Sequence, residues 1–168
     1  MKILSLLRHA EAEQGANVKD FDRQLSSFGN QITPRFGRRL EQEEFMPDRV
    51  CSSEAVRAHE TAKIICYEIG FPVEKLDIRP ELYRAQLDQL LALVRGADEN
   101  DEHLLIVAHN PVISELVHLL CPDQSGLFIA TCGLVTIHLP LEYWALIEPG
   151  CGLFQRYETP QQSVAANH

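Results

Sequence analysis

Two apolar runs in this chain stop at a histidine. Ile3-Leu4-Ser5-Leu6-Leu7 leads into Arg8-His9-Ala10-Glu11, and Leu104-Leu105-Ile106-Val107-Ala108 leads into His109-Asn110-Pro111. A third short stretch, Arg49-Val50-Cys51-Ser52, precedes a segment that carries Arg57 within its first two turns. If these runs are strands of one parallel sheet, their carboxyl ends share an edge, and that edge is where open α/β sheets bind ligands. Two imidazoles and two guanidiniums then converge from three places far apart in sequence. A guanidinium at the end of a buried strand is costly to desolvate unless it meets an anion, and its planar fork of donors suits a phosphate. The start of a following helix adds a positive dipole and free N–H groups. With imidazoles beside the anion, the chemistry indicated is phosphoryl transfer. One neutral histidine attacks phosphorus while the other side chains stabilise charge on the equatorial oxygens.

Each residue also has a plainer reading. Arg8 can pair with Glu11 or Glu54, His109 can merely cap a strand, and Arg57 alone reads as a solvated helix residue. Two apolar strands that each end in histidine are the joint feature that favours a site.

Delivering these residues to one edge requires strands that alternate with helices. After the opening strand, residues 12–31 are polar and rich in Gly, Asn, Asp and Ser, as in a long surface excursion. Thr33-Pro34 predicts an N-cap and a first-turn proline for a helix bearing Phe36, Leu40 and Phe45; Ser26 offers an earlier start, with Pro34 as a kink. Residues 49–52 predict a short strand. Ser53 can then cap a helix in which Ala58, Ala62, Ile65 and Ile69 recur at helical spacing before Gly70 ends it. Residues 73–78 predict a further extended segment. Leu87, Leu90, Leu91 and Val94 fall at i, i+3, i+4 and i+7, an amphipathic helix closed by Gly96. Residues 104–108 are apolar on both faces, as in a buried parallel strand. Asn110 as N-cap and Pro111 at the first helical position then open a helix through Ile113, Leu116, Val117 and Leu120. Residues 134–139 and 143–147, joined by Pro140-Leu141-Glu142, predict a C-terminal hairpin, and residues 159–168 a disordered tail. The expectation is an α/β fold: a single domain over residues 1–158, with a mostly parallel central sheet flanked by helices.

At 168 residues the chain is long enough for one domain with a full core. Its net charge of −9, from 15 Lys and Arg against 24 Asp and Glu, argues against a nucleic-acid partner, which needs a dense positive field. The opening apolar stretch stops at Leu7, short of a signal-peptide core, and no run approaches the ~20 apolar residues of a membrane-spanning helix. The five cysteines are scattered, with no Cys-x-x-Cys pair, as expected of reduced thiols in a cytoplasmic protein without membrane partners. His59, His103, His118 and His138 form no metal-ligand spacing with a cysteine and no Gly-rich nucleotide loop is present, so neither a metal nor a cofactor is expected.

Arg8-His9-Ala10-Glu11, Ser52-Ser53 with Arg57-Ala58-x-x-Thr61-Ala62, and Ala108-His109-Asn110-Pro111 together resemble the histidine phosphatase superfamily, which has the phosphoglycerate mutase-like fold. Leu25-Ser26-x-x-Gly29, Glu81-Leu82-Tyr83 and the short length are most similar to its SixA-type phosphohistidine phosphatases. The resemblance runs from Met1 to about Leu120. It implies that His9 is the nucleophile that becomes phosphorylated, and that Arg8, Arg57 and His109 bind the transferring group. Asn110 would add a phosphate contact. Ala10 stands where most members have glycine. Many members carry an acidic residue after the third strand; here Leu82-Tyr83-Arg84 places arginine at that position, which makes Arg84 a candidate for binding substrate and leaves Glu81 as the nearest candidate acid. A site without a good acid favours leaving groups that depart easily, such as phosphoramidates, over alkyl esters. The leading expectation is a phosphatase acting through phospho-His9 on a phosphohistidine-bearing partner protein. The alternatives are a phosphatase of small phosphorylated metabolites or nucleotides, and a non-catalytic phospho-binding module.

Overall fold

The opening apolar run takes the centre of a sheet because both of its faces are covered. In the computed structural model, which describes residues 1–161 and 163–165, the elements in chain order are β1 (Lys2–Arg8), α1 (Ser27–Gln42), β2 (Arg49–Ser53), α2 (Val56–Ile69), β3 (Asp77–Arg79), α3 (Leu87–Arg95), β4 (His103–Ala108), α4 (Val112–Leu120), β5 (Leu134–Leu139), β6 (Leu153–Glu158) and β7 (Ser163–Ala165), with short 3-10 turns between them. The sheet order is β3-β2-β4-β1-β5-β6-β7. β1 to β4 pair in parallel, and β5, β6 and β7 add on in antiparallel fashion. This is the α/β domain with a mixed sheet expected of a phosphoglycerate mutase-like fold.

Side chains that alternate along the strands feed two cores. Leu4, Leu6, Leu104 and Ile106 pack with Leu90 and Val94 of α3 and with Ile113, Leu116, Val117 and Leu120 of α4. Leu7, Val50, Leu105 and Val107 pack with Phe36 and Leu40 of α1 and with Ala58, Ala62 and Ile65 of α2. Gly70 ends α2 in the left-handed region, at φ 81°.

Four local expectations give way to tertiary packing. α1 starts at Ser26, whose hydroxyl accepts from the Gly29 N–H, while Thr33 sits buried inside the helix with its hydroxyl donating to the Gly29 carbonyl. Pro34 is therefore internal and forgoes one helical bond, to the carbonyl of the exposed Asn30. Within residues 73–78 only the end is a strand, because Val73–Lys75 forms a 3-10 turn. Residues 143–147 are not the second hairpin strand. Trp144 is pulled into the core, its Nε1 donates to the Asp101 carbonyl, and β6 takes the place beside β5. The stretch expected to be disordered from Thr159 begins in ordered contacts. Thr159 is buried, Arg39 Nη2 donates to its carbonyl at 2.7 Å, and β7 pairs with β6. Residues 162 and 166–168 of that stretch lie outside the described residues. All five cysteines are free thiols, four of them buried.

Gly29 fits where α1 meets the segment just past β1. A Cβ there would stand 2.3 Å from the Glu11 carbonyl oxygen, which already accepts from the Ser26 N–H. Gly29→Ala should therefore destabilise the fold by about 1–3 kcal/mol, as overpacking against backbone does. Urea denaturation checks this, and an unchanged midpoint would show that the contact relaxes freely.

Candidate active site

The register of β1 on β4 aligns Leu7 with Val107 and Arg8 with Ala108, so the next residue of each strand, His9 and His109, emerges at the same edge. The His9 N–H donates to the Ala108 carbonyl, and the two imidazole centroids are 5.3 Å apart. β2, on the other side of β4, leads through Ala55 into α2 and delivers Arg57 to the same place.

Each side chain is fixed by specific partners. His9 Nδ1 lies 2.8 Å from the Ala10 carbonyl. A carbonyl only accepts, so Nδ1 carries the proton and Nε2 presents its lone pair. The Ala10 N–H donates to Thr61 Oγ1, and that hydroxyl donates to the Arg57 carbonyl, which ties the end of β1 to α2. Arg57 Nε donates to His9 Nε2 at 3.3 Å. Arg8 Nη1 donates to the Ile129 carbonyl at 3.2 Å, its guanidinium lies over the Phe128 ring, and its Nε is buried without a partner. His109 Nε2 is 2.8 Å from Ser53 Oγ, and its Nδ1 is likewise buried and unpartnered. Buried polar atoms rarely go unsatisfied. Arg8 and His109, each with an unpartnered buried nitrogen, are both among the residues that line one recess.

Burial pushes the His9 imidazole down to about 3, outweighing the Ala10 carbonyl that favours the charged ring; the neighbouring His109 ring and the Arg57 and Arg8 guanidiniums push the same way as burial. Burial, then Arg57, lowers His109 to about 4. Both rings are therefore neutral at neutral pH, as a nucleophile and a hydrogen-bonding clamp require. Arg8 is lowered too, by burial first.

His9, Arg8, Arg57, His109 and Asn110 line one recess of about 350 Å³, joined there by Arg23. The plainer readings of Arg8 and Arg57 do not hold. Arg8 pairs with neither Glu11 nor Glu54 among the described residues, and Arg57 is buried. Asn110 does not cap α4, which begins at Val112. Its Nδ2 donates to the Ile129 carbonyl at 2.6 Å and its Oδ1 accepts from Ser114 Oγ, so it pins the 129 loop against the site. Arg84 lies outside the recess, in an adjoining groove of about 620 Å³ that shares His109 and Asn110, with its guanidinium over the Tyr83 ring. Glu81 does not reach the site. Its carboxylate is exposed and accepts from Arg79 Nε at 2.8 Å, a partner two residues away that outcompetes any distant role. Glu11 lines the recess but is exposed and accepts from Ser26 Oγ, so no buried carboxylate lines it.

Sequence reading missed Asp20. The polar segment folds back so that Arg57 Nη1 donates to the Asp20 carbonyl at 2.7 Å and Nη2 to its carboxylate at 3.1 Å, while Tyr83 Oη donates to the same carboxylate oxygen at 2.7 Å and Arg23 Nη1 to the other. The Tyr83 hydroxyl above all, then Arg23 and Arg57, holds this carboxyl well below the usual carboxylate range, against the opposing effect of burial. No spacing or periodicity signals this contact, because it depends on the path of a loop. Among the described residues, no group of three His, Cys, Asp or Glu is arranged to hold a metal ion, and no helix is long and apolar enough to cross a membrane.

Residues 4–90 match the family model of the histidine phosphatase superfamily (branch 1). No curated protein sequence matches the chain. Among solved structures, that of the protein histidine phosphatase SixA complexed with tungstate is similar, with a TM-score of 0.81 and 22% identity over 95% of this chain and 97% of that one. A proposed phosphohistidine phosphatase SixA from Nakamurella multipartitia has a TM-score of 0.78 and 24% identity over 95% and 96% of the two chains. Another from Agrobacterium tumefaciens has 0.72 and 26% over 82% and 92%.

In histidine-labelled protein at about pH 5.5, 15N spectra should show His9 and His109 as neutral rings, since their values lie near 3 and 4 rather than the ordinary 6.5. Because both folded values lie below the unfolded one, these groups also weaken the fold as pH falls from about 6.5 towards 3, where the unfolded chain binds more protons. Titration of either ring near 6.5 would contradict the desolvated site.

Proposed function

The chain belongs to the histidine phosphatase superfamily and is a phosphatase on that footing; we propose that it works through a phospho-His9 intermediate and removes the phosphoryl group from phosphohistidine on a partner protein. His9 Nε2 attacks phosphorus in line, the bond from phosphorus to the leaving nitrogen breaks, and the phosphoryl group rests on His9. Arg8, Arg57 and His109 hold its equatorial oxygens as charge redistributes. Water then attacks phosphorus, the P–Nε2 bond breaks, and phosphate leaves with neutral His9 restored.

The observation that carries this reading is a neutral His9, protonated at Nδ1 with its Nε2 lone pair accepting from Arg57 Nε, in a recess lined by cationic and N–H donors and by no buried carboxylate. An alkyl phosphate expels an alkoxide unless a positioned acid protonates it, and such acids are usually carboxyls raised by burial. A phosphohistidine ring protonated on its second nitrogen departs as neutral imidazole and needs no such group. The similarity to a protein histidine phosphatase that holds tungstate, a tetrahedral oxyanion, supports the same assignment. With its five free thiols the protein is suited to the reducing cytoplasm.

His9→Ala should lower turnover of a phosphohistidine protein at least about 10³-fold. It should also abolish an acid-labile, base-stable label from a phosphoryl donor. Wild-type kcat/KM should favour phosphohistidine over alkyl monoesters by about 10²-fold or more. A strong monoester preference would instead make the protein a metabolite phosphatase, and reversible binding without covalent label would make it a phospho-binding module.

A further inference from the structure

We propose that Ser53 is a positioning residue that fixes the proton of His109 on Nδ1, so that His9 and His109 sit side by side in opposite tautomers. The inference rests on the phosphatase reading above and concerns how the two histidines are made different. Ser53, fully buried at the end of β2, has its Oγ 2.8 Å from His109 Nε2, and the same oxygen accepts from the Ala55 N–H at 3.2 Å. With that N–H already on the oxygen, the one acceptor that the hydroxyl proton meets among the described residues is His109 Nε2. In the reverse arrangement Nε2 would donate to Oγ, and the hydroxyl proton would be buried with nothing to receive it.

A neutral ring that accepts at Nε2 carries its proton at Nδ1. That nitrogen is buried without a partner, on a side chain that lines the recess beside Arg8, whose Nε is also buried and unpartnered. As an N–H it attracts a phosphoryl oxygen, whereas as a lone pair it would repel one. Ser53 therefore sets the sign of the His109 contact. The Ala10 carbonyl does the reverse at His9: it accepts from Nδ1–H and leaves the lone pair on Nε2, where it accepts from Arg57 Nε and an incoming phosphorus would displace that contact. Two imidazoles with centroids 5.3 Å apart are thus assigned to nucleophile and clamp by one hydroxyl and one carbonyl behind them.

Long-range 1H–15N spectra of histidine-labelled wild type, assigned by the resonances missing in His109→Ala, should show His109 protonated at Nδ1 and bare at Nε2. Wild type carrying the proton on Nε2 would overturn the proposal, and this readout does not depend on any variant folding. Ser53→Ala should shift His109 to a mixture of tautomers and weaken tungstate binding about 10-fold, as the loss of a preorganised donor to an anion does. Ser53→Thr, which keeps the hydroxyl, should restore both. An unchanged tautomer and unchanged tungstate affinity in Ser53→Ala would also overturn it. Labelling of His9 by a phosphoryl donor should survive in Ser53→Ala. Absence of that label from wild type would count against the phosphatase reading, while the tautomer measurement would still decide the role of Ser53.

Discussion

The site depends on one backbone register. β1 lies on β4 with Leu7 against Val107 and Arg8 against Ala108, and the first residue beyond each strand is a histidine. A slip of one residue would send Leu4 and Leu6 to the α1–α2 face and Leu7 to the α3–α4 face, exchanging core positions that differ in shape. Packing on both faces therefore enforces the register, and the register brings the imidazoles together. No side chain of the site has to find its neighbour unaided; the hydrophobic layers on either side of the sheet have already done so.

Collecting positive groups in one recess carries an electrostatic cost, which the fold meets in two ways. Both histidines stay neutral because burial and the two guanidiniums oppose a third and fourth positive charge. Arg57 is tied at its outer nitrogens to Asp20, while Arg8 is held by the Ile129 carbonyl and the face of Phe128. The nitrogens left over, Arg8 Nε and His109 Nδ1, are buried on two side chains that line the recess. Thr61, bonded to the Ala10 N–H and the Arg57 carbonyl, and Ser53, bonded to the Ala55 N–H and the His109 ring, are both fully buried and hold the geometry from behind.

The central strands were legible in the sequence because two-sided burial writes itself as an unbroken apolar run, and the residue that ends such a run is visible at once. α2 and α3 were legible from their periodicity. What escaped was set by distant packing. For α1 the sequence offered two starts, and the structure takes the earlier one at Ser26, with Pro34 inside the helix and Gly29 packed close against the Glu11 carbonyl. Trp144 looked like strand sequence until the pocket beneath α3 claimed it. Glu81 was the nearest carboxylate along the chain, but Arg79 lay nearer in space. Asp20, a polar residue in a polar loop, carried no pattern, and its importance comes only from where Arg57 and Tyr83 meet it.

If the proposed cycle runs through Arg57, the Asp20 contact bears on both of its ends. An arriving phosphoryl group finds the outer nitrogens of Arg57 already satisfied, so what it gains from that side chain is the difference between two anion contacts. The same difference applies to the inorganic phosphate left after hydrolysis. In the proposed reaction, product phosphate on Arg57 would therefore compete with a carboxylate that the fold already holds there.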